Sequence, residues 1–128
     1  MAKNGMILLV HGSRDPAWMA PFAAMAAAVA RRSPDTLVKI ACLQFRAPGV
    51  EEAARALAAE GAERITIVPV FFSALGHVLR DVPGAIARAR ADFPHVPMMV
   101  AGTLGEQPEV TDAYVAALLR MAGEKERS

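Results

Sequence analysis

Cysteine is nearly absent: Cys42 is the only one among 128 residues. A single thiol makes no internal disulfide and no Cys-rich metal cluster, which points to a reducing, intracellular setting. Aromatic residues are also scarce, at 5%, so the core has to be built from Ala, Val, Leu, Ile and Met. Neither sign of charge dominates. A net charge of +1 leaves no basic face for a nucleic acid. The apolar run at residues 6–10 is far too short to span a bilayer and too short for the core of a signal peptide with its cleavage site. These deficits predict a soluble, cytoplasmic protein with no nucleic-acid and no membrane partner.

What the chain does have is apolar mass. It is 54% hydrophobic and 21% charged, the balance of a globular domain rather than a disordered segment. Its length suits one domain over residues 1–128, with a charged tail at 123–128 that frays. Residues 6–10, 37–45, 64–72 and 97–101 form runs that are apolar on both faces, as buried parallel strands are. Helical spacing lies between and after them. Trp18, Phe22, Met25, Ala26 and Val29 mark a first helix, and Val50, Ala53, Ala54, Leu57 and Ala58 a second, with Pro48 before it and Gly61 past its end. Val82, Ile86, Ala89 and Phe93 mark a third helix, and Val110, Ala113, Tyr114, Ala117 and Leu118 a fourth. The order βαβαβαβα predicts an α/β fold: a single four-stranded parallel sheet, flanked by helices on both faces and joined by right-handed crossovers.

Such a sheet binds ligands outside the carboxyl ends of its strands, where strand order reverses. The polar residues at that edge are therefore the ones to weigh. His11-Gly12-Ser13-Arg14-Asp15 follow the first strand, Gln44 and Arg46 end the second, Ser73, Gly76 and His77 follow the third, and Gly102 and Thr103 the fourth. His11 and His77 thus share one edge, where they are expected to form an open site for a divalent metal ion. Neutral imidazole is a common metal ligand and a common proton acceptor near neutral pH. The residues alone leave both roles open, beside the plainer alternative of hydrogen-bonded loop histidines. His95, between Pro94 and Pro97 at the opposite edge, reads as an ordinary loop residue. Ser13 lacks a Gly-rich phosphate loop around it and is expected to cap the first helix. Asp81, followed by Val82-Pro83, starts the third helix and is also placed to orient His77. Glu51 and Glu52 match the dipole of the second helix, and Met98 and Met99 are expected to pack within the last strand.

Two segments then become specific together: Leu9-Val10-His11-Gly12-Ser13-Arg14-Asp15-Pro16, and Val68-Pro69-Val70-Phe71-Phe72-Ser73-Ala74-Leu75-Gly76-His77-Val78-Leu79-Arg80-Asp81-Val82-Pro83. With Leu104-Gly105 before the last helix, they resemble the signature regions of the small class II chelatases, the CbiX/SirB family of sirohydrochlorin chelatases. The resemblance implies a flavodoxin-like chelatase domain that inserts Co(II), Fe(II) or Ni(II) into sirohydrochlorin, for cobalamin or sirohaem synthesis. It places metal handling and catalysis on His11 and His77 and implies a homodimer. It implies no tightly bound cofactor, since the metal is a substrate. A site that hands its metal on needs open coordination positions, not a closed four-ligand shell. The tetrapyrrole is wide, flat and rimmed with carboxylates, so Arg14, Arg46 and Arg80 are candidates to pair with its rim, with Ser13 and Gln44 beside them and Asp81 behind His77.

One departure stands out. The family pattern Leu-Glu-x-x-x-Pro appears here as Leu43-Gln44-Phe45-Arg46-Ala47-Pro48. Glutamine offers a carbonyl oxygen but neither charge nor a base at neutral pH, and Arg46 adds positive charge. The alternative function is therefore a chelatase-like module that binds a tetrapyrrole or a metal without turnover. A third is an unrelated flavodoxin-like binding domain whose histidines are structural.

Overall fold

In a computed structural model that describes residues 3–73, 76 and 79–124, the apolar runs become four strands: β1 (Lys3–Val10), β2 (Thr36–Cys42), β3 (Ala62–Pro69) and β4 (Met98–Val100). Between and after them lie α1 (Pro16–Arg32), α2 (Val50–Ala59), α3 (Val82–Asp92) and α4 (Pro108–Ala122), with a short 3-10 turn, Leu104–Glu106, before the last. The strands make one sheet in the order β2-β1-β3-β4, and every pairing is parallel. The expected α/β architecture is present. The strand bounds differ from the apolar runs, however. β2 stops at Cys42 because the chain bends over residues 43–47 and Phe45 takes a left-handed φ of 71°. β3 stops at Pro69, short of the apolar Val70, Phe71 and Phe72.

The core is built on one face. Ile7, Leu9, Ala41, Ile65, Ile67 and Met98 form its sheet side, and Val50, Ala53, Ala54 and Leu57 of α2 with Val82, Ile86 and Ala89 of α3 form its helix side. The α2 set follows the i, i+3, i+4, i+7 spacing of a single helical stripe. Small alanines let that stripe approach the sheet closely, and full burial of Leu57 contributes roughly 1.5–3 kcal/mol. Outside this stripe Glu51 accepts from Arg88 Nε at 2.9 Å and Arg55 pairs with Asp92, which ties α2 to α3 at the surface.

The opposite face is covered differently. Helix α1 lies beside β2 and α4 packs on the 3-10 turn, and neither helix has a buried residue. Between α1, the sheet and the 3-10 turn an apolar hollow of about 430 Å³ is lined by Met6, Leu8, Met25, Ala28, Val29, Val68 and Leu104. Met98 is buried as expected of strand packing, but Met99 points to this second face and is exposed. Among the described residues no helix is long and apolar enough to cross a membrane.

The topology also selects the crevice. From β1 the chain runs to β2 on one side and then to β3 on the other. The switch point is therefore between the carboxyl ends of β1 and β3, and the residues that leave those two ends are His11 and Val70.

Candidate functional site

The end of β1 is held from both sides. Val70 N–H donates to Leu9 O at 2.8 Å, Leu43 N–H to Val10 O at 2.9 Å, and Gln44 N–H to His11 O at 3.1 Å. His11, the first residue past the strand, thus has a backbone fixed by the sheet while its side chain is exposed. Its ring rests against Phe71, with centroids 4.4 Å apart at 36°. Phe71 is itself buried, so one side of the imidazole is set by packing. Two features make this fit possible. Gly12 has a φ of +93°, and a Cβ there would run into the carbonyl oxygen of Gln44. Only glycine lets the two loops come so close.

Beyond Gly12 the chain turns into α1. Ser13 Oγ accepts from Asp15 N–H at 3.1 Å, and Asp15 Oδ1 accepts from Ala17 N–H at 2.9 Å. Asp15, not Ser13, is the N-cap of α1. The capping role expected of Ser13 thus falls two residues later, where the carboxylate also meets the positive end of the helix dipole.

The β2–α2 loop grips this turn. Arg46 Nε donates to Ser13 O at 2.6 Å and Nη2 to Arg14 O at 3.1 Å. Its planar fork is committed to two backbone carbonyls, which is a positioning task. Arg14 in turn lies over the ring of Phe45, 4.8 Å from its centroid, a cation–π contact. Phe45 is 55% exposed and pays for its left-handed φ with backbone strain that glycine would avoid. Gln44 is exposed beside it. The structure therefore gathers His11, Ser13, Arg14, Gln44 and Arg46 into one loop cluster.

The remaining candidates divide. His77 lies outside the described residues. Arg80 and Asp81 are exposed at the head of α3; Asp81 makes no side-chain capping bond. Asp81 lines a small hollow of about 150 Å³ with Cys42, Gly49 and Arg88. Burial pushes the Cys42 thiol pKa up, and the nearby Arg46 charge only partly opposes this. His95 is an exposed loop residue. Among the described residues no three His, Cys, Asp or Glu side chains cluster.

Sequence reasoning missed the aromatic side of the site. The apolar run at 64–72 predicts strand through Phe71 and Phe72, and helical spacing marks Tyr114 only as one position of the fourth helix. Instead Phe72 stacks on Tyr114, with centroids 5.3 Å apart at 16°, and both rings are exposed. Gly105 N–H donates to Phe71 O at 2.9 Å, and a Cβ on Gly105 would strike the carbonyls of Phe71 and Phe72. The available signal was the pair of aromatics just past a strand end in a chain with so few of them.

The comparisons with known proteins concern the family and the fold. The CbiX family model matches residues 5–120. The sirohydrochlorin cobaltochelatase of Sulfurisphaera tokodaii is 31% identical over 108 residues, 84% of this chain and 85% of that protein. A CbiX protein from Marinobacter aquaeolei superposes with a TM-score of 0.76 at 27% identity, over 93% of this chain and 97% of its own. The sirohydrochlorin chelatase SirB from Bacillus subtilis subspecies spizizenii, solved with cobalt, superposes with a TM-score of 0.76 at 25% identity; the match covers 94% of this chain but 51% of SirB.

Proposed function

The chain belongs to the CbiX family, and from that premise we propose that it is a sirohydrochlorin chelatase, inserting Co²⁺ first and Fe²⁺ next. The observation that carries this reading is the exposed His11 ring, fixed by sheet and Phe71 at the β1/β3 switch point. Insertion requires the macrocycle to lose its pyrrole protons while the metal loses its solvent ligands. A neutral imidazole does either job: it accepts a proton, or it holds the ion through one nitrogen. His77, carried by the run Gly76-His77-Val78-Leu79-Arg80-Asp81-Val82-Pro83, is assigned the same work, with Asp81 as its orienting acceptor. Arg14 and Arg80 are assigned to the carboxylate rim of the macrocycle, and Ser13 and Gln44 to its near edge. Arg46 is assigned to holding the His11 loop. The product serves cobalamin or sirohaem synthesis in the cytoplasm, and residues 1–128 act as one domain.

A homodimer belongs to this reading. One domain offers little enclosure for a wide macrocycle, and α4 presents Val115, Leu118, Leu119 and Met121 to solvent. Gln44 supports a second reading, a tetrapyrrole carrier without turnover, because it supplies no charge for the ion.

One assay separates the two. Metal-free sirohydrochlorin is mixed with protein and Co²⁺, Fe²⁺ or Ni²⁺ in turn, and insertion is followed by absorbance. The chelatase reading expects a rate above the uncatalysed one with wild type and its loss in His11→Ala and His77→Ala. Binding of the tetrapyrrole with no gain in rate for any metal selects the carrier.

A further inference from the structure

The feature that metal handling leaves unexplained is Phe72. It is the most exposed large apolar side chain described, at 75%. A Phe ring left in water forgoes burial at roughly 25 cal/mol per Å², so an isolated one on a loop is a cost without a return. Yet Phe72 is not a loose side chain. Its backbone is pinned where Gly105 packs against the carbonyls of Phe71 and Phe72, with Gly105 N–H bonded to Phe71 O at 2.9 Å. Its ring is backed nearly parallel by Tyr114, which comes from α4. The neighbouring residue, Phe71, turns the other way and buttresses His11.

A rigid flat ring with one face supported and one face free is a stacking platform. Aromatic pairs favour offset parallel contact beyond the area they bury. A bare metal ion has no use for such a surface; a planar conjugated ligand does. Among the described residues the edge holds one other exposed Phe, Phe45, but the Arg14 guanidinium already occupies a face of it.

We propose that Phe72, backed by Tyr114, is the platform on which the conjugated face of the tetrapyrrole stacks. The inference rests on the chelatase reading and adds to it a residue that binds the ring system rather than its carboxylates or its metal. Stacking on Phe72 is a ground-state contact that persists through insertion, so its loss raises KM and leaves kcat in place.

The test is a titration of metal-free sirohydrochlorin into wild type, Phe72→Ala, Phe72→Leu and Phe72→Trp, with insertion kinetics, Co²⁺ affinity without tetrapyrrole, and solution mass measured on each. Phe72→Ala is expected to raise Kd about tenfold, which corresponds to about 1.4 kcal/mol. Phe72→Leu, which keeps apolar bulk but has no flat face, should behave like Phe72→Ala, and Phe72→Trp should bind like wild type. KM should follow Kd, while kcat, Co²⁺ affinity and mass stay at wild-type values. Wild-type binding by Phe72→Leu overturns the proposal, since bulk alone would then suffice. A change of mass in the variants also overturns it, because Phe72 would then be a contact between copies. If wild type itself inserts no metal, the chelatase reading falls; if wild type inserts and the variants match it, only the platform falls.

Discussion

The two faces of the sheet are built to different standards. On the α2/α3 face, seven helix residues are buried: Val50, Ala53, Ala54 and Leu57, then Val82, Ile86 and Ala89. On the α1/α4 face neither helix buries a residue, although both are apolar along one side. Leu119 is 70% exposed, and Leu118 and Met121 are exposed beside it. The difference teaches that an apolar stripe has two possible fates. The chain closes its own core with one and leaves the other on the surface, where a contiguous apolar patch marks an association site. In the proposed homodimer this patch is the surface that a second copy would cover, with the same patch used on both partners.

The largest expected effect breaks or upholds that contrast directly. Leu57→Ala removes a fully buried side chain from the α2 stripe and should lower unfolding free energy by about 2–5 kcal/mol. Leu119→Ala should stay within about 0.5 kcal/mol when measured at a concentration where the chain is monomeric. Urea denaturation followed by circular dichroism reads both. Equal losses would mean that α4 is as much a part of the core as α2.

A second, smaller effect concerns what joins the two faces. Arg46 leaves the loop that leads into α2 and donates to Ser13 and Arg14, in the loop that leads into α1. It ties the packed face to the open one next to His11. Arg46→Ala should cost about 1–2 kcal/mol of stability. If His11 has its proposed role, the same change should lower kcat for metal insertion by about tenfold, because a loosened loop no longer holds the imidazole in place. Arg46→Lys supplies charge without a two-pronged fork and should recover little. Unchanged kcat in both variants would remove Arg46 from positioning.

These contrasts also mark what the sequence made legible. Runs apolar on both faces located all four strands, because a parallel sheet leaves no polar side. His11 was legible because a strand end and a glycine bracket it. The end of β2 was not, since nothing in Leu43-Gln44-Phe45 announces a left-handed Phe45. The Arg46 tie joins residues 33 apart in sequence, so no local spacing encodes it, and Arg46 looked like one more partner for a carboxylate. Tyr114 and Leu118 show the deeper limit. Helical periodicity reports which residues share a stripe, not whether the chain itself covers that stripe, and here it does not.

The gentlest probe of the two faces is chemical and leaves both intact. Cys42 is buried at the end of β2, with its thiol pKa raised by burial. The thiolate is the reactive form, so at pH 8 Cys42 holds less of it than an ordinary thiol and is also shielded from reagent. A Leu118→Cys variant places a second thiol on the open face. Alkylation of the variant should then run in two phases, a fast one for residue 118 and a slow one for Cys42. Raising the pH should speed the slow phase, as more Cys42 ionises, while denaturant should merge the two. Raising the protein concentration should suppress only the fast phase if a second copy covers α4. A fast phase that persists undiminished at every concentration would mean that no second copy covers α4, and the proposed homodimer would lose this surface.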